Sequence, residues 1–97
     1  MILATLMGAA HRDAAARSVV QSLREGDVLT LERDPDNAYD ENAVRVMWND
    51  VWIGFLERGV AAEVGPRMDD GEPFHCAVHM FPDGTGSQRL KPLLRIE

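Results

Sequence analysis

Only one cysteine, Cys76, occurs in the 97 residues. A lone thiol closes no intramolecular disulfide, which suits a reducing cytoplasm. It also has no neighbouring constellation that would activate it as a nucleophile. No apolar run reaches the ~18 residues that suggest a membrane-spanning helix. The opening stretch Met1 to Gly8 is apolar but short and lacks a basic leader, so it reads as a first strand rather than a signal peptide. Neither a Gly-rich Walker motif nor an internal repeat nor a low-complexity tract is present. Positive charge is scarce as well. Lys and Arg number 10 against 16 Asp and Glu, for a net charge of −6. That balance argues against broad duplex binding, which depends on many contacts to phosphate. It leaves room for a small, local site.

What is present is enough for one domain with one core, spanning 1–97. Ile2 to Met7 reads as a strand ended by Gly8. From Asp13 to Leu23 the apolar residues Ala16, Val19, Val20 and Leu23 follow helical spacing. Asp13 is placed to cap that helix, and Arg24 with Glu25-Gly26 to close it. Val28 to Arg33 and Ala43 to Trp48 read as strands, the second with Val44, Val46 and Trp48 on one face. Asn49-Asp50 suits a two-residue hairpin turn into Val51 to Leu56. Val60 to Met68 predicts a short helix, weakened by Gly65-Pro66 and ended by Asp69-Asp70-Gly71. Phe74 to Phe81 alternates, with Phe74, Cys76, Val78 and Met80 on one face. Pro82 to Ser87 is a loop, and Leu90 to Ile96 a last strand whose Pro92 points to an edge. About six strands and two short helices predict a mainly β fold, a small barrel or curled sheet.

The charge is unevenly spread. Residues 25–41 hold Glu25, Asp27, Glu32, Asp34, Asp36, Asp40 and Glu41 against Arg33 alone, whereas Arg12, Arg17 and Arg24 precede them. A phosphate-facing surface should therefore use arginines outside the acidic segment. Within it, Asp34 to Asn42 is dense in residues whose side chains bond nearby backbone. These acids do not match a calcium loop: counted from Asp34, the sixth position is Tyr39 instead of Gly and the twelfth is Arg45 instead of an acid. His75, Cys76 and His79 suggest zinc, but neighbours on a strand point to opposite faces and a fourth ligand is lacking. Trp48 and Trp52 flank the hairpin as cross-strand packing.

The run Leu29 to Val46, with Asp34-Pro35 and Tyr39-Asp40-Glu41-Asn42-Ala43 at its centre, resembles the HIRAN signature. A second block, Ile53-Gly54-Phe55-Leu56-Glu57-Arg58 followed by Ala61-Ala62, resembles the family's Gly-aromatic-Leu-Pro-Arg pattern before a helix. The likeness covers about residues 2–72. It implies an OB-like barrel that captures a single-stranded DNA 3′-hydroxyl end without catalysis, with no cofactor, in DNA repair or processing. A separate helicase or nuclease would be its partner. Carried over position by position, Tyr39 would stack on the terminal base and Asp40 would accept a hydrogen bond from the 3′-hydroxyl. Phe55 and Arg58 would sit beside the strand, with Arg58 facing a phosphate. His11 or Arg12 would form the other wall, where the family's DNA-binding eukaryotic member has an Arg-Tyr pair. Ala38 replaces the usual Pro. An alternative is an acidic adaptor that binds a basic protein through its loop and an exposed sheet edge. A weaker one is a hydrolase whose 34–41 carboxylates hold magnesium, although no general base stands out.

Overall fold

The computed structural model describes residues 1–82 and 89–97. Six strands run β1 (Ile2–Met7), β2 (Val28–Arg33), β3 (Val44–Trp48), β4 (Val51–Leu56), β5 (Cys76–Met80) and β6 (Leu93–Ile96). Two helices, α1 (Ala14–Ser22) and α2 (Arg58–Asp69), follow β1 and β4. The strands close into an antiparallel barrel in the order β1-β4-β3-β2-β5-β6, with β6 paired back onto β1. This is the mainly β, OB-like barrel expected. Closure follows from the inward residues. Leu6, Val44, Val46, Ile53, Val78, Leu94 and Ile96 are all fully buried, and Val20 and Leu23 at the end of α1 join the same core. Each of these strands thus has a hydrogen-bonded neighbour on both sides, β1 and β4 meeting only at Leu6–Leu56 and Met7–Phe55.

Asp13 caps α1 as expected, its carboxylate accepting the Ala16 N–H at 2.9 Å. The helix stops at Ser22 because Leu23 turns extended, so Glu25-Gly26 belongs to the turn before β2 and does not close the helix. Alternation fails at two strand ends. Register shifts after Val46 and after Val78 leave Trp48 and Met80 exposed instead of facing the core. Such bulges re-aim side chains and give no signal in the alternation. Phe74 and Phe81 lie outside β5, and Leu90 lies before β6. Pro92 is not at an edge. Its ring is fully buried and its carbonyl accepts the Leu6 N–H at 3.0 Å. The Pro82 to Ser87 loop lies, from residue 83 on, outside the described residues.

Helix α2 is longer than the predicted 60–68 and runs through Pro66. Burial of Ala61, Val64 and Gly65 outweighs the one donor that proline lacks. Beyond Asp70 the chain turns at Gly71 (φ 88°), with Gly71 N–H on Met68 O at 2.9 Å and Glu72 N–H on Arg67 O at 3.0 Å. This pair of bonds satisfies the last carbonyls and ends the helix.

Candidate nucleic-acid interface

Between β2 and β3 the chain makes a polar loop shaped by its own side chains. Asn37 Oδ1 accepts the N–H groups of Tyr39 (2.9 Å) and Asp40 (3.1 Å), and its amide donates to Asp34 Oδ2 (3.2 Å). Asp40 Oδ1 in turn accepts the Asn42 N–H at 2.9 Å. Side-chain oxygens thus add to the backbone bonds of Asp34 N–H to Ala43 O, Asn37 N–H to Asp34 O and Ala43 N–H to Asp40 O, which is why Asn and Asp crowd this segment. The result puts Tyr39 at the apex, 87% exposed, with Asp40 half-buried beside it. A phenol this exposed in the free protein has no packing role to explain it.

Tyr39, Asp40, Phe55 and Arg58 line one hollow of about 320 Å³, floored by Met7, Ala43 and Leu56 and bordered by Asn37. Four of the six residues singled out from sequence therefore meet, although the 39–40 and 55–58 blocks are separated along the chain. Phe55 arrives from β4, opposite Met7 of β1, and Arg58 opens α2 with an exposed side chain. A second hollow of about 340 Å³, between α1 and Trp48, contains none of the six. It holds Trp48, Asp27 and two serines but no cation to meet a phosphate, so the hollow beneath Tyr39 is the candidate.

His11 and Arg12 do not line the site. His11 is exposed on a short 3-10 turn, Ala9–His11. Arg12 is turned onto β4: its Nε donates to Trp52 O at 3.0 Å, and its guanidinium stands 3.9 Å from the Trp52 ring centre. Arg45 stands 4.0 Å from the same ring. Two guanidiniums this close to one ring centre cannot share a face, so the indole lies between them, an arrangement favoured by cation–π attraction. Arg45 also pairs with Asp34 at 3.4 Å. Trp52 meets Phe55 edge-on, 5.3 Å between centroids. Arg12 therefore reaches the site only by bracing Trp52, which braces Phe55. Arg17 is also spent internally, donating to Arg12 O. Of the cations that sequence suggested for phosphate, only Arg58 lies at the hollow.

Sequence reasoning read Asn37 as a loop residue that bonds nearby backbone, as it does, but did not place it beside the hollow. It missed Arg33. That side chain, 15% exposed, pairs with Asp69 at 2.9 Å. The pair raises the Arg33 pKa and holds the Asp69 carboxyl below its ordinary range, hydrogen bonding being the main cause of each shift. Among the described residues, no group of three or more His, Cys, Asp and Glu is placed to hold a metal. Burial pushes the Cys76 thiol up to about 12. No helix among the described residues is long and apolar enough to cross a membrane.

The HIRAN domain family profile matches residues 1–92. The chain belongs to the HIRAN domain family. Two solved structures share its fold. The HIRAN domain of human HLTF is 20% identical with a TM-score of 0.75, over 98% of this chain and 71% of that one. A protein from Lactobacillus plantarum is 24% identical with a TM-score of 0.77, over 100% of this chain and 93% of that one. No curated protein matches this HIRAN chain by sequence.

Proposed function

We propose that this HIRAN domain is a non-catalytic module, a single unit over its length, that binds the 3′-hydroxyl end of single-stranded DNA in the hollow beneath Tyr39. The observation that carries the reading is the meeting of Tyr39, Asp40, Phe55 and Arg58 around one space of about 320 Å³. Each supplies what an end requires. The exposed phenol offers a stacking face for any base, worth ~1–3 kcal/mol. An ionised carboxylate only accepts hydrogen bonds, so it suits a terminal hydroxyl and repels a terminal phosphate. Asp40 spends one oxygen on the Asn42 N–H, which leaves the other for the ligand. Arg58 supplies a cation for the adjoining phosphate. His11 and Arg12 are left out of direct contact.

With a net charge of −6, such a module recognises an end by shape and hydrogen bonding more than by long-range attraction. A partner helicase or nuclease would supply chemistry in DNA repair, in the reducing cytoplasm that suits a single thiol. Fluorescence anisotropy with matched oligonucleotides tests this. A free 3′-hydroxyl should bind more tightly than a 3′-phosphate or a strand with only its 5′ end accessible. Equal binding of all three would refute end reading, and no binding at low salt would favour the acidic adaptor.

A further inference from the structure

The loop that presents Tyr39 and Asp40 has little apolar anchorage: Pro35, Asp36, Ala38, Tyr39 and Glu41 are all exposed. Its internal bonds set the local turns but not the angle at which the loop stands over the hollow. Besides the Arg45–Asp34 pair at the start of the loop, two contacts at its other end set that angle. From the end of β2, Arg33 donates through Nη1 to Ala43 O (2.6 Å) and through Nη2 to Glu41 O (2.9 Å). The same guanidinium grips both oxygens of Asp69, the last residue of α2, at 2.9 and 3.2 Å. All three of its nitrogens are used. Beside this clamp Asn42 O lies against the bare face of Gly65 in α2, where a Cβ would come within 2.7 Å. The limb 41–43 is thus held to α2 on both sides, directly after Asp40.

We propose that Arg33, anchored by Asp69, is a positioning residue for end recognition, fixing where the Asp40 carboxylate stands over the hollow. The inference rests on the end-reading function above. Lysine cannot replace it, because an ammonium lacks the planar fork that reaches two carbonyls and a carboxylate at once. Its effect falls on discrimination more than on total binding. A hydrogen bond weakens steeply as its angle degrades, whereas stacking on Tyr39 tolerates small displacements of the base.

The test uses the full chain as wild type, Arg33→Lys, Asp69→Asn, Asp40→Asn and the Arg33→Lys/Asp40→Asn double variant. Asp69→Asn breaks only the anchor, at a carboxylate 55% exposed, and serves if Arg33→Lys folds poorly. Amide hydrogen exchange on the DNA-free protein reads the clamp itself. The Tyr39, Asn42 and Ala43 N–H groups should exchange at least about tenfold faster in Arg33→Lys, with core strands unchanged. Competition between 3′-hydroxyl and 3′-phosphate oligonucleotides reads recognition. The preference for hydroxyl should fall at least about threefold in Arg33→Lys and should not fall further when Asp40→Asn is already present. Unchanged exchange overturns the clamp whatever the DNA result. Equal loss for both ends, or additive loss in the double variant, overturns action through Asp40. A wild type that does not discriminate refutes end reading and, with it, the recognition role of Arg33, while exchange still decides whether Arg33 holds the loop.

Discussion

Replacing a helical glycine with alanine ordinarily stabilises a protein by ~1 kcal/mol, because glycine has more backbone freedom to lose on folding. At Gly65 the sign should reverse. A Cβ there would stand 2.7 Å from Asn42 O and 3.5 Å from Asn42 C and Cα. The obstacle is backbone, held by Arg33 on one side and by the Asp40 carboxylate on the other, so it cannot swing aside as a side chain would. Forcing an extra carbon into packed structure costs ~1–3 kcal/mol. Set against the helical gain, a net loss of ~1–2 kcal/mol follows from the upper part of that range. Gly59 in the same helix is the control, because a Cβ there meets nothing within 4 Å. Gly59→Ala should stabilise by ~0.4–1 kcal/mol. In thermal melts the two substitutions then move in opposite directions, Gly65→Ala down by roughly 4–16 °C and Gly59→Ala up by roughly 2–8 °C. Gly65→Ala should also weaken preference for a 3′-hydroxyl, since the displaced limb carries Asp40. A Gly65→Ala protein more stable than wild type would show that the loop yields freely, and would refute the tight seating of the loop on α2.

Val46 is fully buried, so Val46→Asp should unfold or strongly destabilise the domain by placing an unpaired charge in the core; an unchanged melting temperature would show the strand faces the other way. Arg58→Ala should weaken binding across DNA sequences and make the salt slope shallower by ~0.7, the share of one phosphate on a single strand; unchanged affinity and slope would remove Arg58 from the site. Cys76 should resist Ellman's reagent at pH 8 in the native protein and react fully in denaturant, because burial holds the thiol protonated up to about 12. Since an exposed thiol ionises near 9.0, this group favours the unfolded chain increasingly as pH rises from there to about 12. Cys76→Val should flatten that part of the alkaline loss.

Alternation revealed the barrel wherever a strand stays in register, as at Val44 and Val46 or Cys76 and Val78. It failed where register slips, at Trp48 and Met80, because a bulge is set by the neighbouring strand. Pro66 and Pro92 misled for a related reason: packing decides whether a proline breaks an element, and both sit where packing prevails or no ladder donor is needed. Tyr39, Asp40, Phe55 and Arg58 were singled out through the family resemblance, and Asn37 was legible as a turn former but not as a neighbour of the hollow. Arg12 could not, because its place over Trp52 depends on how the 3-10 turn meets β4. Nor could the Arg33–Asp69 pair, whose members stand 36 residues apart and meet only when α2 packs beside β3.

The most direct test of the central claim is the ratio of affinities for 3′-hydroxyl and 3′-phosphate single strands, measured by competition on folded wild type, Asp40→Asn and Tyr39→Ala. Wild type should prefer the hydroxyl. Asp40→Asn should lose most of that preference, up to the ~1.5–3 kcal/mol of one charge-assisted hydrogen bond, while still binding single strands. Tyr39→Ala should weaken both ends alike and leave the ratio unchanged. Equal wild-type affinity for the two ends, or an undiminished ratio in Asp40→Asn, would contradict the account.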